Sequence, residues 1–123
     1  MKSGIFAVYQ GIEYKAGLDS NIVTLRSYDS SDAERGFSLY KEMVYVKKVQ
    51  KKEVDEVYSI STLALYQGFI FGVYKEEGEK LLLFTDNYIV SEKLGLDMVD
   101  RGVYEKWVSK NDVTSVYEEK KSL

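Results

Sequence analysis

The side chains in this chain that could do chemistry are carboxylates, lysines and tyrosines, because its 123 residues include no histidine and no cysteine. Paired carboxylates can share acid–base work when they face one another across a site. The candidates are Asp29, Asp32 and Glu34 in one polar stretch, and Asp97 and Asp100 in another. Both stretches read as connectors. Asp29-Ser30-Ser31-Asp32 lacks the ligand spacing of a calcium loop. Gly68-x-x-x-Gly72 lacks the Lys-Ser/Thr that completes a phosphate-binding loop, and it falls inside an expected hairpin. Without imidazole or thiolate there is no conventional zinc, iron–sulfur or haem site, and no Ser–His or Cys–His nucleophile. No catalytic residue, metal ligand or cofactor is assigned, and an enzyme is not expected.

The same absences bear on the elements that must position any site. No disulfide can form, so stability has to come from packed apolar side chains. The chain is 45% hydrophobic and 30% charged, the balance of a globular protein of one ordinary domain or two very small ones. No apolar run approaches the roughly 20 residues of a membrane span, nor the apolar core of a secretory signal. A cytoplasmic protein that does not engage membranes is therefore expected. Residues 1–60 carry nine basic and nine acidic side chains, whereas residues 61–123 carry eight and eleven. The whole formal charge of −3 thus belongs to the second half. That weighs against wholesale nucleic-acid binding, which usually shows as a strongly basic field.

The two halves resemble each other. Val44–Tyr58 and Val103–Tyr117 are identical at eight of fifteen positions, where roughly one would arise by chance. The shared residues include Tyr45/Tyr104, Lys47/Lys106, Val49/Val108 and Val54/Val113. Upstream, Ala7-Val8-Tyr9-Gln10-Gly11 returns as Ala64-Leu65-Tyr66-Gln67-Gly68, followed by Tyr14-Lys15 and Tyr74-Lys75, then by strands ending at Asp29 and Asp86. The pattern predicts an internal duplication, residues 1–60 and 61–123, with the seam near Ile60–Thr62.

Period-two alternation predicts strands at Ile5–Gln10, Ile12–Lys15, Asn21–Tyr28, Glu42–Val49 and Val54–Ile60. The second half copies them at Leu63–Gln67, Phe69–Lys75, Lys80–Thr85, Val103–Val108 and Val113–Glu118. Helix competes for Lys51–Ile60, but the matching Val-Thr-Ser-Val-Tyr favours strand. A single 3₁₀ turn is expected just before it. Residues Tyr28–Gly36 read as a polar loop or one helical turn. An all-β fold follows: five short strands, a long polar connector and a 3₁₀ step, repeated. This architecture resembles the SH3-like small barrel, with the two units packed together.

Positions common to both copies read as what the fold needs, and positions that differ are free to serve function. On the fourth strand, Tyr45/Tyr104, Lys47/Lys106 and Val49/Val108 share one face, while the other reads Val44, Val46, Lys48 against Val103, Glu105, Trp107. Trp107, the only tryptophan, either packs against the partner unit, as buried Trp commonly does, or anchors an interface. Tyr28, Tyr40 and Tyr88 lie in or beside the connectors, where small barrels often bind. Glu76, Glu77 and Glu79 form an acidic hairpin tip, either a solvated turn or an attractor of a basic partner. Lys47, Lys48, Lys51 and Lys52 are the basic counterpart, again a solvated turn or a phosphate-binding patch.

These readings converge on a non-catalytic protein–protein binding module, in its concrete form an immunity- or antitoxin-type inhibitor of another protein, often a basic one. Its expected partner-binding residues are Trp107, Tyr28, Tyr40, Tyr88, Glu76, Glu77 and Glu79. The alternative is a nucleic-acid-binding tandem barrel using Lys47, Lys48, Lys51 and Lys52 with tyrosines for stacking. A monomer or weak homodimer is expected.

Overall fold

The computed structural model describes residues 2–123 and is all-β, with antiparallel strand pairing throughout. The chain divides into two compact units. The first comprises Gly4–Ile60 with Lys120–Leu123, and the second is centred on Ser61–Glu119.

In the first unit β1 (Gly4–Tyr9), β2 (Ile12–Asp19) and β3 (Ile22–Ser27) follow one another as hairpins. A 3₁₀ helix, Ser30–Arg35, leads to the short strand β4 (Ser38–Lys41) and to β5 (Val44–Gln50). A 3₁₀ turn, Lys51–Glu53, precedes β6 (Glu56–Tyr66). The strand order is β4-β5-β3-β2-β1-β6. Alternate residues of these strands supply the core: Ala7, Tyr9, Tyr14, Ala16, Val23, Leu25, Val49 and Val57, closed by Phe37. Fully burying a Val or Leu side chain stabilises by about 1.5–3 kcal/mol, so Val23 and Leu25, with no exposed surface, are the first unit's anchors.

The second unit repeats this order of elements. The last residues of β6 are followed by β7 (Phe69–Glu77), β8 (Lys80–Thr85), helix α1 (Tyr88–Leu94), β9 (Asp97–Asp100) and β10 (Val103–Ser109). A second 3₁₀ turn, Lys110–Asp112, leads into β11 (Ser115–Ser122), which pairs with β6. Its core is Ala64, Tyr66, Phe71, Val73, Leu81, Leu83, Val90 and Val108.

Three expectations need correcting. The seam at Ile60–Thr62 does not separate two strands, because β6 runs unbroken through it; Val-Tyr-Ser-Ile-Ser-Thr-Leu is β-prone throughout and contains no glycine to stop it. The long connectors hold more than the helical turn expected within Tyr28–Gly36: each also contains a four-residue strand, β4 or β9, and the second contains α1. Both strands are exposed along their length and bulged against their neighbour, so neither shows clean alternation in the sequence. Finally, Tyr14 matches Phe71 rather than Tyr74. Tyr14 and Phe71 are buried core residues placed alike after their turns, whereas Tyr74 is exposed beside a bulge between Val73 and Lys75 that adds one residue to β7. The same added residue makes Asn87, not Asp86, the counterpart of Asp29: each caps its helix, and each donates its backbone N–H to a hydroxyl oxygen two residues before it, that of Ser27 or Thr85.

Candidate functional site

The residues common to both halves do structural work. Lys47 Nζ donates to the Arg35 carbonyl at 3.0 Å and sits over the Tyr9 ring. Lys106 Nζ donates to the Leu94 carbonyl at 2.9 Å and sits over the Tyr66 ring. Each lysine therefore satisfies a carbonyl left unpaired at the end of the helical segment. Each helical segment stops at a glycine with positive φ, Gly36 at 90° and Gly95 at 71°, a conformation that costs other residues strain.

The residues that differ fall on the opposite face of each sheet, and the strand registers align them row by row. In the first unit one row runs Phe6, Lys15, Arg26, Val46, Ser38 across β1, β2, β3, β5 and β4. The matching row in the second unit is Leu63, Gly72, Phe84, Glu105, Asp97 across β6, β7, β8, β10 and β9. The next row pairs Gly17, Thr24 and Lys48 in the first unit, and Lys75, Leu82 and Trp107 in the second. Beside them, Val8–Glu13 is matched by Leu65–Ile70. A face bearing Glu13, Lys15, Arg26 and Lys48 in one unit thus bears Ile70, Gly72, Phe84 and Trp107 in the other.

That second face is apolar and open. Ile70 is 60% exposed, Trp107 39% and Phe84 38%, around a Leu82 that is only 6% exposed. The far end of the Phe84 ring reaches over the backbone at Gly72, where a Cβ would stand 2.2 Å from its nearest carbon. Lys75 Nζ lies 5.6 Å from the Trp107 ring centroid, within cation–π range. At the margin, Glu76 and Lys110 form an ion pair at 2.6 Å. Hydrogen bonding and charge from Lys110 hold the Glu76 carboxyl below its ordinary range, and Glu76 in turn raises Lys110. Lys75 also pairs with Glu77 at 3.5 Å.

The other expected site residues are distributed as follows. Trp107, Glu76, Glu77, Glu79 and Tyr88 belong to the second unit, whereas Tyr28 and Tyr40 belong to the first. Tyr88 begins α1 and packs edge-on against Tyr104, on the core-side alternation of β10 rather than with Trp107. A hydrogen bond to Glu92 raises the Tyr88 phenol above its ordinary range. Tyr40 lies on β4 with Lys41 over its ring, and Tyr28 follows β3; both are exposed. The four lysines do not share one surface. Lys47 points to the core side, Lys48 to the opposite face beside Thr24, and Lys51 and Lys52 line a shallow hollow with Asn21 and Gln50.

Ile70, Phe84 and Leu82 were not singled out by the sequence, since each reads as an ordinary strand residue until the rows are aligned. A second group also escaped it. Buried Asp32 accepts from Tyr14 Oη at 3.2 Å and Arg35 Nη1 at 2.9 Å, and from Ser27 Oγ. Burial, together with the nearby Asp32 charge, pushes the Tyr14 phenol up. The corresponding residues of the second unit are Phe71, Ser91, Leu94 and Thr85, so this cluster has no ionisable counterpart there. Among the described residues, no three His, Cys, Asp or Glu side chains form a group that could hold a metal ion. No helix among them is long and apolar enough to cross a membrane.

Comparison with known proteins gives a family and no further relative. Neither the curated proteins nor the solved structures contain a match. Over residues 1–123 the chain belongs to the family described as Uncharacterised conserved protein UCP033725.

Proposed function

We propose that this member of the family is a non-catalytic protein-binding module, built by duplication of an SH3-like unit, whose second copy carries the binding face. The observation that carries the reading is the replacement of Glu13, Lys15, Arg26 and Lys48 by Ile70, Gly72, Phe84 and Trp107 at matched positions. A fold that tolerates a charged face at these positions has no architectural need for an apolar one. Exposed Trp and Phe next to a buried Leu82 are the usual anchors of a protein interface. Acidic residues at the margin, Glu76, Glu77 and Glu79, favour a basic partner. An inhibitor of the immunity or antitoxin kind, masking a basic protein in the cytoplasm, is the concrete form of this reading.

Support for the nucleic-acid alternative is thinner. It needs Lys47, Lys48, Lys51 and Lys52 on one surface, and Lys47 is already engaged with the Arg35 carbonyl.

The test is affinity capture from the native host, followed by binding measurements with the captured protein. Trp107→Lys and Phe84→Arg install side-chain types that the first unit carries at the matched positions. Each should retain the fold and weaken binding at least about tenfold, the equivalent of 1.4 kcal/mol. Full-strength binding by both variants would remove the proposal.

A further inference from the structure

The apolar face of the second unit ends in acid. Phe84 is the cross-strand partner of Glu105, and Glu105 is the cross-strand partner of Asp97. Side chains so paired stand on one side of the sheet with Cβ atoms about 5 Å apart, and like charges in that position repel. Trp107 lies two residues along from Glu105 on the same face. Among the described residues, no side-chain hydrogen bond or ion pair engages Glu105 or Asp97. Glu105 is half-buried. In the first unit the same two positions hold Val46 and Ser38, so neither carboxylate is required by the sheet.

Two opposed, uncompensated carboxylates beside two exposed aromatic rings define what complements them. A cation relieves the repulsion, and a flat one also covers the rings. The Trp107 ring already has one cation near it, the Lys75 ammonium 5.6 Å from its centroid. Resting on the reading of this face as a protein-binding surface, we propose that it receives an arginine side chain of the partner protein. The guanidinium bridges Glu105 and Asp97, with its plane against Phe84 and Trp107. Arginine fits better than lysine because its planar fork donates to two carboxylates at once and stacks on aromatic faces.

Because Trp107 is the only tryptophan, its emission reports on this face alone. The experiment titrates the whole protein with the peptide acetyl-Gly-Arg-Gly-amide and with its citrulline counterpart, which keeps the shape and loses the charge. The arginine peptide should give a saturable change in emission with a millimolar midpoint, and citrulline a response at least about tenfold weaker. The double variant Glu105→Val, Asp97→Ser, which carries the first unit's residues, should fold normally and lose the arginine response. An equal response to both peptides, or an undiminished response in the double variant, overturns the proposal.

A second arm separates this proposal from the reading beneath it. If the captured protein binds the double variant at full strength while Trp107→Lys abolishes binding, the arginine site is wrong and the binding face stands. If Trp107→Lys also binds at full strength, both are wrong.

Discussion

The ring of Phe84 occupies the space in which a side chain at Gly72 would have to stand, 2.2 Å from the nearest ring carbon to an ideal Cβ. The absence of a side chain on β7 is thus what makes room for the Phe84 ring on β8, which stays 38% exposed. The prediction concerns Gly72→Ala. Because the crowded atoms are the far end of a rotatable side chain, Phe84 should swing away, changing stability by no more than about 1–3 kcal/mol. The arrangement of the face should change more than the fold. Thermal melting should show a modest shift, while Trp107 emission and partner binding both change clearly; unchanged emission and binding would show that Phe84 does not shape this face.

Lys47 and Lys106 should be worth similar amounts to stability, since each makes the same carbonyl bond and lies over the same kind of ring. Replacing either by Met keeps most of the apolar stem and removes the ammonium. A loss of about 1–2 kcal/mol is expected in urea unfolding, from a charged hydrogen bond and a partly buried cation–π contact. Wild-type stability in both variants would contradict the structural role.

Alkaline pH should weaken the first unit through Tyr14. Burial and the Asp32 charge raise this phenol above its ordinary value near 10 in the folded chain. The folded state therefore holds the proton more tightly than the unfolded one. The contribution is fully present below the unfolded value and is lost as pH rises through the folded one. Unfolding midpoints followed upward from pH 9 should fall more steeply for wild type than for Tyr14→Phe, the residue type of the second unit. Parallel curves would show that Tyr14 does not contribute.

The acidic tip should act on encounter rather than on the bound state. Changing Glu76, Glu77 and Glu79 to Lys should slow association with a basic partner by about tenfold at low salt, with the difference fading as salt screens it. The Glu76–Lys110 pair itself lies at the surface and adds little to folding. Stopped-flow mixing at two ionic strengths measures this. A change confined to the dissociation rate would contradict it.

Much of the fold was legible because strand alternation and the repeated residues speak for themselves. Val44–Tyr58 against Val103–Tyr117 placed β5, β10 and the 3₁₀ turns, and period two separated the Lys47 face from the Lys48 face. What stayed hidden depended on pairing. One bulge residue in β7 displaces the Asp29 match, and no local pattern announces it, while the repeated Tyr-Lys pair drew the Tyr14 match to Tyr74, three residues beyond Phe71. Strands β4 and β9 are too short and too exposed to alternate. Trp107 could be named from its uniqueness and Glu105 placed beside it by period two, but Phe84, Ile70 and Asp97 join them only through register. Asp32 looked like a loop carboxylate because its three partners come from β2, β3 and the 3₁₀ helix.

The central claim is that the second unit binds a protein through the face bearing Ile70, Phe84 and Trp107. Its most direct measurement is calorimetric titration of the captured partner into the chain carrying Ile70→Glu, Phe84→Arg and Trp107→Lys together, with circular dichroism verifying the fold. The account predicts a folded protein with no measurable heat of binding. Wild-type affinity in that folded variant would contradict it.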